Sequence, residues 1–246
     1  MSEINLGIIG AGNIASEHLK VIQSIDGINV NGITSRTFKK AKKLSKTYSI
    51  NNSFDDINTL INNCSLDGLM ILVSADQIFY ITKKLIPLNI PLFIEKPPGI
   101  IPEETKILAN LANKYKTRNM IGFNRRFYSI FHKGIKIIND KGPLFGLSIE
   151  GHERFWKVKG RNISDRIYKN WIYANSTHTI DLLRFFGGEI KNIKSFSKSF
   201  KENLGDQFVA SMEFESGSIG TYTSHWYSPG GWSVKLYGAD VSVILN

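Results

Sequence analysis

Cysteine and long apolar runs are both scarce in this sequence. The 246 residues include a single cysteine, Cys64, which excludes a disulfide within the chain and fits a reducing cytoplasm. No apolar run approaches the roughly 20 residues that a membrane-spanning helix needs. The first residues show neither the basic region nor the cleavage site of a secretory signal. We therefore expect a cytoplasmic protein that does not bind membranes.

Acidic residues are too few to balance the basic ones: 21 Asp and Glu face 31 Lys and Arg, a formal net charge of +10. The excess is spread over both halves of the chain, and no recognised nucleic-acid-binding motif accompanies it. A basic surface suited to anionic small molecules is the preferred interpretation, with nucleic acid a minor alternative. Metal-ligand spacing is missing around His152, His178 and His225, so we expect no metal site.

A glycine-rich turn stands between the first apolar strand, residues 4–9, and a helical pattern that continues to Ile22. It has the form G-x-G-x-x-A. The first glycine permits a tight turn, the second lets a pyrophosphate approach the backbone, and the small last residue allows close packing of helix on strand. This context predicts a dinucleotide site, and the cofactor-binding residues expected here are Gly10, Gly12, Asn13 and Ile14.

The second strand, predicted at residues 28–34, ends in Thr34-Ser35-Arg36-Thr37. An NAD site usually has an acidic residue here for the ribose 2′-hydroxyl, and this sequence has none. A hydroxyl beside an arginine suits a 2′-phosphate, so Ser35 and Arg36 favour NADP(H) over NAD(H). In the alternative interpretation, Arg36 stacks on adenine or begins a solvated helix.

The remaining pattern predicts an α/β fold of two domains, 1–122 and 123–246. Strands at 68–73, 91–95 and 120–122 alternate with helices at 39–48, 55–61, 76–85 and 103–114, which indicates a doubly wound parallel Rossmann sheet. After residue 122, helices at 130–138 and 176–186 accompany strands at 144–151, 190–200, 206–214, 218–224 and 233–237. Short turns between these strands predict an α+β domain with a mostly antiparallel open sheet. The final apolar run, 241–246, should be a strand with neighbours, so this sheet looks shortened at its C-terminus.

Four landmarks together resemble the Gfo/Idh/MocA oxidoreductases: residues 10–15, Glu95-Lys96-Pro97, the run 122–127 and the run 177–183. The resemblance implies a Rossmann domain followed by a domain whose open sheet carries substrate and often the oligomer interface. It also implies hydride transfer between NAD(P) and a secondary alcohol or carbonyl of a sugar, cyclitol or nucleotide-sugar. A homo-oligomer formed through the C-terminal sheet is the corresponding expectation.

Lys96 and His178 are the catalytic candidates. The resemblance directs Lys96 between nicotinamide and substrate and implies a cis bond before Pro97. Glu95 at the same strand end and Ser74, after the strand at 68–73, are also expected to border the cofactor. Oxidation of a carbinol needs a base, and a partly desolvated lysine near a cationic ring can serve. By the same resemblance His178 relays the proton or binds the hydroxyl, while Asp181 orients it or packs structurally. The alternatives are a structural Glu95–Lys96 ion pair and a core histidine.

Two of the departures from the family pattern bear on the alternative function. Where many relatives carry a proton-relay aspartate, this chain has Ala174, followed by Asn175, which can position substrate or cap the helix. Tyr173 is a candidate substitute for the aspartate. The chain is also shorter than is common in the family. Both departures favour the alternative function, a non-catalytic dinucleotide- or sugar-binding member or subunit.

Basic residues cluster in sequence near the expected substrate wall: Arg125, Arg126, Arg154, Lys157, Lys159, Arg161 and Arg166. Aromatic residues interleave with them: Phe155, Trp156 and Trp171. Arginine forks beside aromatic planes suit a phosphorylated or uronic sugar or a nucleotide-sugar, and a solvated basic loop is the equal alternative. The predicted substrate-binding residues are Lys96, Asn124, Arg125, Arg154, Trp156, Asn175 and His178.

Overall fold

The computed structural model describes residues 3–158, 160–161, 163–203 and 205–246. The chain folds as two compact units, Met1–Gly122 and Phe123–Asn246. Among the described residues, no helix combines the length and the apolar character needed to cross a bilayer.

The described part of the first unit contains a six-stranded parallel sheet. Its strands are β1 (Ile4–Ile9), β2 (Ile28–Thr34), β3 (Asn52–Phe54), β4 (Gly68–Ile71), β5 (Leu92–Ile94) and β6 (Asn119–Ile121). Their order in the sheet is β3-β2-β1-β4-β5-β6, and every neighbouring pair is parallel. The connections change direction between β1 and β4, so a crevice opens at the carboxyl ends of these strands, where such sheets bind ligands.

Helices alternate with these strands. They are α1 (Asn13–Ile22), α2 (Phe38–Thr47), α3 (Ile57–Asn63), α4 (Ala75–Leu85) and α5 (Pro102–Tyr115), with a 3₁₀ turn at Ile86–Leu88. Local sequence explains several ends: Asp56 caps α3 by accepting a hydrogen bond from the backbone N–H of Thr59 (2.9 Å), and α5 begins with a proline. For the first unit, the helix and strand boundaries predicted from the sequence agree with the structure to within two residues. Strand β3 was not predicted.

Both faces of the parallel sheet are buried. The consecutive residues Ile8 and Ile9 belong to different apolar clusters, because successive side chains of a strand point to opposite faces. Ile8 packs with Leu19 of α1, and Ile9 packs in the cluster that contains Ile78 of α4. Because both faces of the sheet are buried, the sequences of its strands are nearly continuous apolar runs.

The described part of the second unit contains a mixed six-stranded sheet. Its strands are β7 (Gly146–Gly151), β8 (Ile190–Lys198), β9 (Gln207–Phe214), β10 (Ile219–His225), β11 (Trp232–Gly238) and β12 (Val241–Leu245). Their order is β12-β11-β7-β10-β9-β8. The pair β7–β10 is parallel and the other pairs are antiparallel, so the prediction of a mostly antiparallel second sheet is confirmed.

One pairing implied by the short turns was wrong. Strands β10 and β11 follow each other in the chain but are not neighbours, because β7 lies between them. Four of the six residues of β7 are buried, which is the burial expected of a strand inside the sheet. The consequence is that the carboxyl end of β7, and the residues directly after it, lie beside those of β10.

The sheet of the second unit is covered on one face. Its described helices are α6 (Ser129–Asn139), α7 (Asp165–Lys169) and α8 (Thr177–Gly187), with 3₁₀ turns at Asn124–Phe127 and Phe155–Lys157 and a π-helical turn at Ile172–Ser176. Buried residues of α6 and α8 share one apolar cluster with sheet residues such as Ile149 and Phe214, which are fully buried. The opposite face exposes apolar side chains, among them Phe196 (81% exposed) and Ile219 (66%).

Candidate functional site

The glycine-rich turn connects β1 to α1 at the carboxyl edge of the parallel sheet. Gly10 has φ +117°, and a Cβ there would lie 2.2 Å from the carbonyl oxygen of Leu72, so only glycine fits. Gly12 has φ −90°, and no described atom lies within 4 Å of a Cβ placed there. It is the N-cap of α1 and has no capping side chain, so the first N–H groups of that helix are available to an anion. Asn13 and Ile14 continue the same exposed surface.

The turn after β2 contains Ser35 and Arg36, the residues predicted to favour NADP(H) over NAD(H). Ser35 is half-buried, and its Oγ accepts a hydrogen bond from the backbone N–H of Thr37 (3.4 Å). Arg36 is exposed and makes no hydrogen bond to the residues that the structure describes. Its guanidinium therefore remains available to a ligand.

The ends of β4 and β5 carry Ser74, Glu95 and Lys96. Ser74 is exposed and stands at the N-cap of α4 without a side-chain capping bond. The Glu95 carboxylate lies 3.3 Å from His18 Nε2 and accepts a hydrogen bond from the backbone N–H of Lys96 (3.0 Å). These contacts tie Glu95 to the protein itself, so it orients the turn that holds the half-buried Lys96. The Lys96–Pro97 bond is cis.

In the second unit, Arg125 and His178 contact the same indole. The Arg125 guanidinium carbon lies 3.8 Å from the centre of the Trp232 ring, and the His178 ring centre lies 6.1 Å from it. Phe123 meets the His178 ring edge-on at 6.4 Å. Thus the structure brings Arg125 and His178 together, with Asn124 exposed on the same 3₁₀ turn as Arg125.

The neighbouring arginine has a different environment. Arg126 donates from Nε and from a terminal nitrogen to the two carboxylate oxygens of Asp181, each at 2.6 Å. This bidentate ion pair raises the pKa of Arg126 and joins the 3₁₀ turn to α8, one turn beyond His178. Asp181 therefore binds Arg126, and Arg126 is a structural residue and not part of a free basic surface.

Asn175 contacts a carboxylate that sequence reasoning missed. Its Nδ2 donates to both oxygens of Glu153 (2.8 and 3.0 Å), and Ser176 Oγ donates to one of them (3.2 Å). The helix-capping alternative for Asn175 is wrong, because Ser176 is the N-cap of α8 and the Asn175 side chain turns to Glu153. Glu153 is only 7% exposed and follows the end of β7 by two residues, a strand-end position that was the available signal.

In the basic and aromatic loop after β7, some side chains are buried in the core and others are exposed to solvent. Phe155 and Trp171 are buried in one aromatic cluster with Trp226, so the prediction that they interleave with a substrate surface was wrong. The 3₁₀ turn directs Phe155 inward and leaves the adjacent Arg154 and Trp156 exposed. Lys157 and Arg161 are also exposed, Arg166 is half-buried, and Lys159 lies outside the described residues.

Two histidines of the second unit, His152 and His225, contact each other. His152 stacks on His225 with ring centres 5.3 Å apart. Burial and the neighbouring His225 lower the pKa of His152, while Glu150 opposes this shift. Within the described ranges, no group of three His, Cys, Asp or Glu residues could hold a metal ion.

Comparisons with known proteins cover both units. Residues 4–123 match the GFO/IDH/MocA oxidoreductase family, NAD-binding Rossmann fold, and residues 148–244 match the GFO/IDH/MocA C-terminal domain. The uncharacterized oxidoreductase YrbE of Bacillus subtilis is 26% identical over 260 residues, which cover 99% of this chain and 74% of that protein. The scyllo-inositol 2-dehydrogenase (NAD(+)) of Bacillus subtilis is 22% identical over 99% of this chain and 74% of its own length.

A solved structure agrees with the fold. Levoglucosan dehydrogenase, in complex with NADH and L-sorbose, superimposes with a TM-score of 0.87 at 17% identity. The match covers 100% of this chain and 74% of that protein. The chain therefore spans about three quarters of the length of this structure and of the two curated relatives.

Proposed function

This chain belongs to the Gfo/Idh/MocA family of oxidoreductases, and we propose that it transfers a hydride between a nicotinamide dinucleotide and a secondary alcohol or carbonyl of a sugar, cyclitol or nucleotide-sugar. The observation that carries the proposal is the turn from β1 to α1. Gly10 admits the close approach to β4, and Gly12 leaves open space before uncapped helical N–H groups. A pyrophosphate is the ligand that this arrangement fits.

Each residue of the cofactor group has a defined part in this proposal. Gly10, Gly12, Asn13 and Ile14 present backbone N–H groups to the pyrophosphate, while Ser35 and Arg36 receive the adenosine ribose. Ser74 and the Glu95–Lys96 turn border the nicotinamide side of the crevice. The bound dinucleotide would accept or donate the hydride, and the protein supplies orientation and proton transfer.

Proton transfer is proposed for Lys96 and His178. Lys96 is half-buried at the end of β5, and in this proposal its amine exchanges the proton of the substrate hydroxyl. His178 binds the substrate hydroxyl or relays its proton. Because Ala174 carries no carboxylate, we propose that Asn175 acts on substrate only indirectly, through its bonds to Glu153.

The proposal extends to the substrate class, the oligomeric state and the cellular location. A sugar or cyclitol substrate is supported by the relatives, which include a scyllo-inositol dehydrogenase. The apolar open face of the second sheet supports a homo-oligomer, in which Phe196 and Ile219 become buried. The free Cys64 supports a cytoplasmic location, which cell fractionation would contradict if the protein appeared outside the cytoplasm.

Purified protein tests the function in two steps. Native mass spectrometry should show a bound or bindable dinucleotide and more than one subunit, and a stable monomer would contradict the oligomer. Absorbance of reduced nicotinamide should then change with at least one sugar, inositol or nucleotide-sugar. Dinucleotide binding without turnover of any of these would favour the alternative function, a non-catalytic binding member, which Ala174 also supports.

The preference for NADP(H) depends on Arg36. We expect Arg36→Ala to weaken NADP(H) binding by roughly 10- to 100-fold, since a charge-assisted hydrogen bond to phosphate contributes about 1.5–3 kcal/mol. The affinity for NAD(H) should change little, because its ribose has no phosphate. Fluorescence titration of both reduced cofactors measures this, with Lys46→Ala on the exposed side of α2 as the control. Equal losses for both cofactors would remove the 2′-phosphate role.

A further inference from the structure

The Arg125 side chain contacts aromatic rings and has no anionic partner among the residues that the structure describes. Its guanidinium lies over Trp232 at 3.8 Å and near Tyr128 at 5.6 Å. Its Nε is buried without a hydrogen-bond partner, and it forms no salt bridge with any described residue. The adjacent Arg126, by contrast, is fully engaged by Asp181. Arg125 is therefore the arginine of this pair that can bind something else.

A half-buried guanidinium without an ion pair is unfavourable. Burial removes water from the charge and lowers the pKa of Arg125, while Tyr128 and the carboxylate of Glu153 oppose this shift. No hydrogen bond joins the two side chains, and the Glu153 oxygens accept hydrogen bonds from Asn175 and Ser176. An external anion would satisfy the Arg125 donors and compensate its lost hydration.

The stack on Trp232 fixes the plane of the guanidinium. A planar fork held in one orientation can donate two parallel hydrogen bonds to a carboxylate or a phosphate, which a lysine cannot do. Because His178 contacts the same indole, an anion bound here would lie beside the histidine proposed to reach the reacting hydroxyl. The net charge of +10 would also draw anionic ligands toward the protein.

We propose that Arg125 binds an oxyanion of the substrate, a carboxylate or a phosphate, so that the substrate is an acidic derivative of a sugar. This inference rests on the proposed function, because it names the substrate class for the same reaction. Arg125 is a specificity-determining residue in this proposal, and Trp232 is the platform that orients it.

Binding is tested without turnover by thermal unfolding in the presence of D-glucuronate, glucose 6-phosphate or neutral D-glucose. We expect the acidic sugars to raise the melting temperature of the wild-type protein and D-glucose to have little effect. Arg125→Met should abolish the rise, Arg125→Lys should retain part of it, and Lys133→Met on the exposed side of α6 should retain all of it. No rise in the wild-type protein, or an equal rise in Arg125→Met, would overturn the proposal.

Turnover separates this inference from the proposed function. With sugars that differ only in the acidic group, Arg125→Met should raise KM for the acidic member by roughly 10- to 100-fold and leave the neutral member nearly unchanged. Comparison of glucuronate with glucose 6-phosphate identifies the carboxylate or the phosphate. If acidic sugars bind through Arg125 but none is oxidised, the anion site stands and hydride transfer to them fails. If neutral sugars are oxidised equally by wild type and Arg125→Met, hydride transfer stands and the anion site is wrong.

Discussion

Lys96→Met should lower kcat for hydride transfer by about 10²- to 10⁴-fold, the usual contribution of a positioned general acid or base. Methionine retains most of the length and the apolar surface of the lysine side chain but cannot exchange a proton. The backbone bond from Lys96 N–H to Glu95 is unaffected by this change, so the turn after β5 should keep its conformation. Steady-state kinetics with a sugar that the wild-type protein oxidises, followed by nicotinamide absorbance, measures the effect.

Two comparisons make the Lys96 result specific. Lys84→Met removes a charge from the exposed side of α4 and should leave kcat unchanged. Reduced-cofactor titration of Lys96→Met should still show binding, because the pyrophosphate and ribose contacts lie elsewhere. Turnover of Lys96→Met within a few-fold of the wild-type value would remove Lys96 from the proton chemistry and leave His178 as the remaining candidate.

Local patterns predicted the first unit well because its elements are local. The strand and helix periods, the prolines and the glycines bound nearly every element to within two residues. Strand β3 was missed because Asn52, Ser53 and Phe54 form a short, mostly polar segment, and it becomes a strand only by pairing with β2 at the sheet edge. Its conformation depends on a neighbour about 20 residues away in the chain, which periodicity cannot reveal.

The second sheet shows a similar limit. The sequence indicates which segments are strands, but the insertion of β7 between β10 and β11 depends on long-range pairing. The same insertion brings the residues after β7 into the site region of this unit. The sequence around Glu153 predicts a basic and aromatic loop, so Glu153 was not predicted as a site residue. In the structure its carboxylate is buried and bound to Asn175.

The roles of the two arginines at the start of the second unit depend on tertiary structure. Arg125 and Arg126 are chemically identical neighbours, and the sequence offers no reason to separate them. The 3₁₀ turn directs one toward Trp232 and the other toward Asp181. Only the position of α8 decides which arginine is neutralised, so the sequence could predict a basic cluster but not its available member.

Gly10→Ala and Gly12→Ala add the same methyl group at two positions of one turn. We expect the first to reduce stability and the second to reduce cofactor affinity. A Cβ at Gly10 would lie 2.2 Å from the Leu72 carbonyl oxygen, in a backbone conformation with φ +117° that alanine rarely adopts. We expect Gly10→Ala to lower the free energy of unfolding by at least about 2 kcal/mol, through strain and steric overlap with a backbone atom that cannot move away alone. Urea unfolding followed by circular dichroism measures this loss.

Gly12→Ala should leave the free energy of unfolding within about 0.5 kcal/mol of the wild-type value, because φ is −90° and no described atom lies within 4 Å of the new methyl group. The methyl group would instead occupy the space in front of the α1 N–H groups, where a pyrophosphate must approach closely. We therefore expect the dissociation constants of NAD(H) and NADP(H) to rise together by roughly tenfold or more, since a lost charge-assisted hydrogen bond costs about 1.5–3 kcal/mol. Wild-type affinity for both cofactors in a folded Gly12→Ala protein would contradict pyrophosphate binding at this turn, and a preference for one cofactor would place the defect at the ribose instead.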